Sequence, residues 1–142
     1  LEAMSTITQL TEANDLQREF ALKAADAAED LARVANGHRE HVIPAPTAYD
    51  LLGELKVLLW HLKEVADYLP TGIQAALGDP RLDVYDRDVA TGADRNPVAQ
   101  ATLAAHRLRD LSAALDHAAT AAEAAQTALN GQGYNVREVR PA

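Results

Sequence analysis

The hydrophobic positions of this chain recur at the spacing of an α-helix over three long stretches. The clearest is 47–69, where apolar side chains follow one another at alternating steps of three and four residues. Two rows make an apolar face wider than a coiled-coil seam, so we expect this helix to be covered on two sides. One row is Ala48, Leu52, Leu55, Leu59, Leu62, Ala66 and Leu69, and the other is Leu51, Val57 or Leu58, and Val65.

A second helix is predicted N-terminal to this stretch, over residues 6–36. Thr6 with Gln9 fits a capping box, and Gly37 after Asn36 is typical of a helix end. Charged residues fill the faces that its single apolar row leaves open. That row is Leu16, Phe20, Ala24, Ala27, Leu31 and Val34.

The ends of the middle helix are predicted from capping and proline signals. Thr47 with Asp50 three residues later forms a T-x-x-D capping box, with the carboxylate at the positive end of the helix dipole. Pro70 is expected to break or kink the helix, because it lacks an N–H and clashes with the preceding turn. A short extra helix is then predicted over residues 71–77.

A third long helix is predicted over residues 97–130. Asn96 is a typical N-cap, and Pro97 at the first helical position lacks an N–H that would have no partner there. Alanine dominates the C-terminal half, so this helix should be stable only if another helix packs closely on it. Its core row is Ala101, Ala105, Leu108, Ser112, Leu115, Ala119, Ala122, Gln126 and Leu129.

Together these signals predict an all-α fold, an antiparallel bundle of three long helices in one domain over 1–142. We expect residues 1–5 to be a disordered cloning remnant and residues 131–142 to be a flexible tail. The alanine-rich third helix and an exposed side of the middle helix suggest that dimerisation completes the bundle. The connector at 38–46 is short, as expected between antiparallel neighbours.

Charge and composition narrow the function classes. The chain of 142 residues has a net charge of -8, which disfavours binding to nucleic acid or anionic membranes and is compatible with a basic protein partner. It has no cysteine, which excludes disulfides and thiolate chemistry. Charged residues interrupt the middle helix, so it is not a membrane span. No leader is recognisable, so we expect a cytoplasmic protein, and the residue usage suggests a GC-rich bacterial genome.

Histidines with carboxylates at helical spacing raise the alternative of a metal-binding bundle. Imidazole and carboxylate groups bind zinc or iron, but the paired E-x-x-H motifs of di-iron bundles and the H-E-x-x-H motif are missing. We therefore expect surface histidines and no metal or other cofactor. The residues of this alternative site are His61, His106, Asp110 and His117, and a separate H-x-x-H pair is His38 and His41.

The stretch 78–95 is predicted to be the longest irregular segment. Asp83, Asp86 and Asp88 suggest calcium, but their spacing does not fit an EF-hand loop. Arg81 and Arg87 lie among the same carboxylates, so a local network of Asp–Arg pairs is the preferred interpretation.

The sequence offers no nucleophile–base arrangement and no phosphate-binding loop, so we expect no enzyme activity. The preferred function is a non-enzymatic, acidic, helical protein–protein interaction module that forms a homodimer. Trp60 is interpreted either as the edge of the core or as a partner anchor. The predicted partner contacts are Trp60, Tyr68, Tyr85 and Arg87.

The tail contains Tyr134 and Glu138 in a Y-x-x-x-E pattern. This pattern after helical segments resembles the C-terminal signal of the W-x-G group of type VII secretion substrates. The resemblance covers the tail and the helical character, whereas Trp60 is followed by His61 and Leu62 inside a helix rather than by a W-x-G turn. It implies a second alternative, a small secreted helical protein.

Overall fold

The computed structural model describes residues 2–36 and 42–138. Over these residues it contains three α-helices and one pair of two-residue strands, which confirms the predicted all-α class with three long helices. The chain divides into two compact units, Leu1–Val42 and Ile43–Ala142, and the single domain over 1–142 stays a prediction. The elements are α1 (Glu2–Asn36), α2 (Ala45–Gly78), β1 (Asp86–Arg87), β2 (Asp94–Arg95) and α3 (Pro97–Leu129).

Helix α1 makes up most of the first unit. It begins at Glu2, so Thr6 lies inside the helix rather than at its cap, because Glu2, Ala3 and Met4 are good helix formers. Residues 2–5, expected to be disordered, are therefore helical. Ion pairs at helical spacing line its surface, and its predicted apolar row is largely exposed.

Helix α2 begins two residues before the predicted start. Pro44 is the N-cap, with no side-chain hydrogen bond to the first turn, so the predicted Thr47–Asp50 capping box does not start the helix. Pro44 has the extended backbone of an N-cap, and Pro46 in the first turn lacks an N–H that would have had no partner there.

Pro70 does not break α2, so of the predicted break or kink the break is wrong, and the expected short helix at 71–77 is the last part of α2. The helix continues through Pro70 to Gly78. Proline removes one helical hydrogen bond, but the residues on both sides of it pack on α3. Ala66 is buried on the N-terminal side, and Ile73 and Leu77 are half-buried on the C-terminal side.

Helices α2 and α3 form an antiparallel hairpin. The Gln126 amide Nε2 donates to the Tyr49 carbonyl oxygen at 3.1 Å, and the Ser112 hydroxyl donates to the Asp67 carboxylate. Residue numbers on α3 therefore decrease in the direction in which those on α2 increase, so the two helices are antiparallel. The apolar residues that are fully buried in the described part of the chain are two alanines, Ala66 on α2 and Ala119 on α3.

Helix α3 starts and ends almost where the sequence places it. The Asn96 side chain accepts hydrogen bonds from the backbone N–H groups of Val98 at 3.0 Å and Ala99 at 3.4 Å. The helix ends at Leu129, and Gly131 follows with a φ of 82°, a conformation that favours glycine. Residues 132–138 have no regular secondary structure.

Gly53 allows a side chain of α3 to approach the backbone of α2. A Cβ added at Gly53 would lie 2.8 Å from Nε2 of Gln126, and the same amide group is held by the Tyr49 carbonyl. Gln126 also accepts a hydrogen bond from Lys56 at 3.5 Å. The absence of a side chain at position 53 therefore leaves the space that the Gln126 amide occupies.

We predict that Gly72→Ala stabilises the fold by about 1 kcal/mol while Gly53→Ala changes its stability little. Both substitutions gain helix propensity, and a Cβ at Gly72 meets no atom within 4 Å. At Gly53 the gain is offset because the displaced Gln126 loses a hydrogen bond worth about 1 kcal/mol. Chemical denaturation measures both. In a Gln126→Ala background, Gly53→Ala should stabilise the fold by the full gain in helix propensity. If it has no effect on stability there, the contact between position 53 and Gln126 is contradicted.

Candidate interaction surface

One side of the α2–α3 hairpin is polar. The Lys63 ammonium lies 2.7 Å from the Asp67 carboxylate, which also accepts the Ser112 hydroxyl. About two turns towards the N-terminus of α2 from Lys63, the Lys56 ammonium lies 3.7 Å from the Glu123 carboxylate on α3. The Ser112–Asp67 and Lys56–Glu123 contacts cross between the helices on the same side, so charged and hydroxyl groups hold that side together.

The electrostatics of this side centre on Asp67. The hydrogen bond from Lys63, and after it the one from Ser112, lower the pKa of the Asp67 carboxyl below its ordinary value of 3.8. The same hydrogen bond to Asp67 raises the pKa of Lys63. The ionised carboxylate is therefore the form that the folded hairpin favours.

We predict that the difference in melting temperature between the wild type and Asp67→Asn shrinks as the pH falls. The folded-state pKa of Asp67 is lowered, so its contribution is present above the unfolded-state pKa near 3.8 and is lost as the pH falls through the folded-state value. Asp67→Asn lacks that contribution at every pH. Thermal unfolding followed by circular dichroism between pH 7 and pH 2.5 tests this, and a difference that stays constant would contradict it.

The other side of the hairpin is apolar. Relative to the buried Ala66, Lys63 and Asp67 turn to one side of α2, and Leu62, Val65 and Leu69 turn to the other. On α3, angular positions around the helix axis are compared in the same way with the buried Ser112. Asp116 and Glu123 then lie on the polar side. The residues on the other side are Leu108, Leu111 and Leu115. Because the helices are antiparallel, the two apolar rows fall on the same side of the hairpin.

We call this side the apolar face and define it by two rows. Both rows keep alternating steps of three and four residues, and none of their members is charged. Five of its ten large side chains are exposed, with Val65 at 55% and Leu111 at 48%, and the other five are half-buried. The rows are Leu51, Leu55, Leu58, Leu62, Val65 and Leu69 on α2, and Ala101, Ala104, Leu108, Leu111, Leu115, Ala118, Ala122, Ala125 and Leu129 on α3.

A groove of about 340 Å³ continues the apolar face at the end where the two helices are joined. Tyr85 and Val84 form one wall and belong to residues 79–96, which join α2 to α3 and are called the connecting segment. Leu77 and Ala104 lie among the helix residues that form the rest. Because Ala104 belongs to the apolar face, the groove and the face are one continuous surface.

The predicted partner contacts do not all lie on this surface. Trp60 is 44% exposed and turns towards the polar side, where the Lys56 ammonium lies 5.2 Å from its ring centre. Tyr68 is 72% exposed on the back of α2. Tyr85 borders the groove, and Arg87 lies in β1. The four residues therefore lie on separate parts of the surface and do not form one site.

The predicted network of Asp–Arg pairs in the connecting segment is confirmed. Strands β1 and β2 are antiparallel, with Asp86 opposite Arg95 and Arg87 opposite Asp94, so each cross-strand pair joins opposite charges. The Arg95 guanidinium lies 2.7 Å from Asp86. Between the strands the Asp88 carboxylate accepts from two backbone N–H groups of the turn, which lowers its pKa.

A further Asp–Arg pair precedes the strands, directly after α2. Asp79 and Arg81 are joined by two side-chain hydrogen bonds, and the Asp79 carboxylate also accepts from the Arg81 backbone N–H. These bonds lower the pKa of Asp79 to about 2. The arginines thus occupy carboxylates that a calcium site would require.

The histidines of the alternative metal site are not brought together. His106 and His117 are eleven residues apart on α3, about 16 Å along the axis. His61 lies 3.4 Å from Glu64, and Asp110 lies 3.8 Å from Arg107. Over residues 2–36 and 42–138 there is no group of three or more potential ligands placed to hold a metal ion. His38 and His41 lie outside the described residues.

The tail motif lies in the segment after α3. Tyr134 is exposed and Glu138 is the last described residue, both without regular secondary structure. The export alternative stays a prediction. In the described part of the chain, no helix is long and apolar enough to cross a membrane.

Comparison with known proteins identifies no relative. No protein-family model, curated protein or solved structure matches this chain. A function for this chain is therefore inferred from its own surface.

Sequence reasoning missed the one-sided distribution of the apolar residues. It assigned Leu55, Leu62 and Leu69 to the row with the buried Ala66, whereas in the structure they lean away from the polar contacts. The available signal was the unbroken three–four spacing from Leu51 to Leu69. That spacing defines a row without stating which neighbour it faces.

We predict that Asp86 and Arg95 are energetically coupled by about 0.5 kcal/mol, and that Arg87 and Asp94 are coupled less. The first pair is closer and less exposed, at 2.7 Å against 3.4 Å. Double-mutant cycles with alanine at each position, read from chemical denaturation, measure both couplings. Equal couplings would contradict a specific role for the Asp86–Arg95 pair.

Proposed function

We propose that this protein is a non-enzymatic helical interaction module that self-associates through the apolar face of its α2–α3 hairpin. The observation that supports the proposal is the contrast between the two sides of the hairpin. One side carries ion pairs and hydrogen bonds, and the other carries two uncharged rows with leucine and valine exposed. Such an arrangement is typical of helices that bury one face against a further helical layer.

The dimensions of the apolar face support a second copy as its occupant. The α2 row extends for about 27 Å and the α3 row for about 42 Å, and each helix presents a width of roughly 10 Å. The face is therefore roughly 700 Å² on each copy, which lies within the range that each partner of a standard stable interface contributes.

Burial of this face would also add apolar contacts to a hairpin that has few of its own. In the described part of the chain its buried residues are Ala66, Ala119 and the polar Ser112. Helices owe most of their stability in proteins to packing of an apolar face, and small side chains supply little of it. A second copy would add leucine and valine side chains to the core.

Trp60 and Tyr68 lie off the apolar face and stay predicted contacts for a partner other than the second copy. Aromatic residues of this exposure are common anchors of protein interfaces. The net charge of -8 favours a basic partner at such a second surface.

We predict that Leu111→Glu weakens self-association about 100-fold and that Leu103→Glu leaves it unchanged. The two leucines are on the same helix and equally exposed, at 48% and 50%, but only Leu111 lies on the apolar face. A glutamate at position 111 would have to be buried without a partner in the dimer. Analytical ultracentrifugation over a concentration series measures both variants against the wild type.

A monomeric wild type at high micromolar concentration would contradict the proposal. If Leu111→Glu also lowered the melting temperature of that monomer, the result would indicate that another segment of the same chain covers the apolar face. Equal effects of the two substitutions on a dimer would place the interface elsewhere.

A further inference from the structure

At the end where the two helices are not joined, the apolar face has a part with large residues and a part with small residues that lie side by side. Residues 51–62 of α2 carry Leu51, Leu55, Leu58 and Leu62, whereas residues 118–129 of α3 carry mainly alanine. The ion pair between Lys56 and Glu123 shows that these two segments lie at the same level of the hairpin. At this end of the face, the leucine side chains therefore project far from α2, whereas the alanine side chains leave a shallow recess over α3.

We infer that the second copy packs with its connecting segment at the same end, so that α2 of each copy lies on α3 of the other. This inference rests on the proposed self-association and adds the geometry of the complex. A twofold axis parallel to the helices places the leucine-rich part of α2 over the alanine-rich part of α3 of the second copy. Leu58 then faces Ala122 of the second copy.

The opposite arrangement, with the connecting segments at opposite ends, fits less well. It stacks α2 on α2 and α3 on α3. With the twofold axis near Val65, the side chains of Leu62, Val65 and Leu69 would then crowd together on α2, and on α3 the alanines at 122–125 would meet Ala101 and Ala104. Overpacking and cavities are both destabilising, so the arrangement that alternates large and small residues is favoured.

The charges around the face are compatible with this packing. The ion pairs Lys56–Glu123 and Lys63–Asp67 are on the opposite side of the hairpin and stay in water. The rows themselves contain no charge that the second copy would have to bury. The groove beside Tyr85 lies at the joined end and meets the same groove of the second copy.

Single-cysteine variants test the arrangement, because the chain has no native cysteine. Each variant carries one thiol, so any disulfide must join two copies, and it forms only where Cα atoms come within about 7 Å. We expect a mixture of Leu58→Cys and Ala122→Cys to form the mixed disulfide on mild oxidation. Val65→Cys alone, near the middle of α2, should stay reduced, and Leu103→Cys on the back of α3 is the matched control.

The outcomes separate this inference from the proposed function. A dimer in sedimentation with the 58–122 disulfide supports both. A dimer in which Val65→Cys crosslinks to itself and the 58–122 pair does not overturns the arrangement and keeps the self-association. A monomer with no crosslink above the Leu103→Cys control overturns both, as would a stable complex in which a different protein occupies the face.

Discussion

The close contact between α2 and α3 is the constraint on which the rest of the hairpin depends. It is made by small side chains, with Ala66 and Ala119 at its centre. Small residues let two helices approach closely, and the approach brings the Ser112 hydroxyl to Asp67 and the Gln126 amide to the Tyr49 carbonyl. These directional contacts set the register of the pair, because they form only where donor and acceptor coincide.

The same contact explains why the hairpin has an exposed apolar side. The alanines of the seam bring the helices close together, and Leu62, Val65 and Leu111 lie along its edge, where they are exposed. The polar edge is closed by Lys56, Lys63 and their carboxylate partners. The other edge has no such partners, and its leucine and valine side chains gain most from burial against another apolar surface.

Self-association follows from this asymmetry as the proposal with the strongest physical support. A face of about the area of a stable interface, without charge and with large and small residues side by side at one end, fits a copy of itself. The connecting segment adds a groove and a network of Asp–Arg pairs at one end, so the two ends of the face are chemically different. Trp60 and Tyr68 are exposed outside this face.

The sequence by itself determined the helices, because helical periodicity and caps are local properties. Asn96, Pro97 and Gly131 act within a few residues of their own positions, and the Asp–Arg pairs of 78–95 are nearly as local. Tertiary structure decided the rest. Packing on α3 carried α2 through Pro70, and the small-residue seam decided which side Leu62 and Val65 occupy. Neither could be read from spacing, because periodicity defines a row of side chains and only a neighbouring helix defines where that row points.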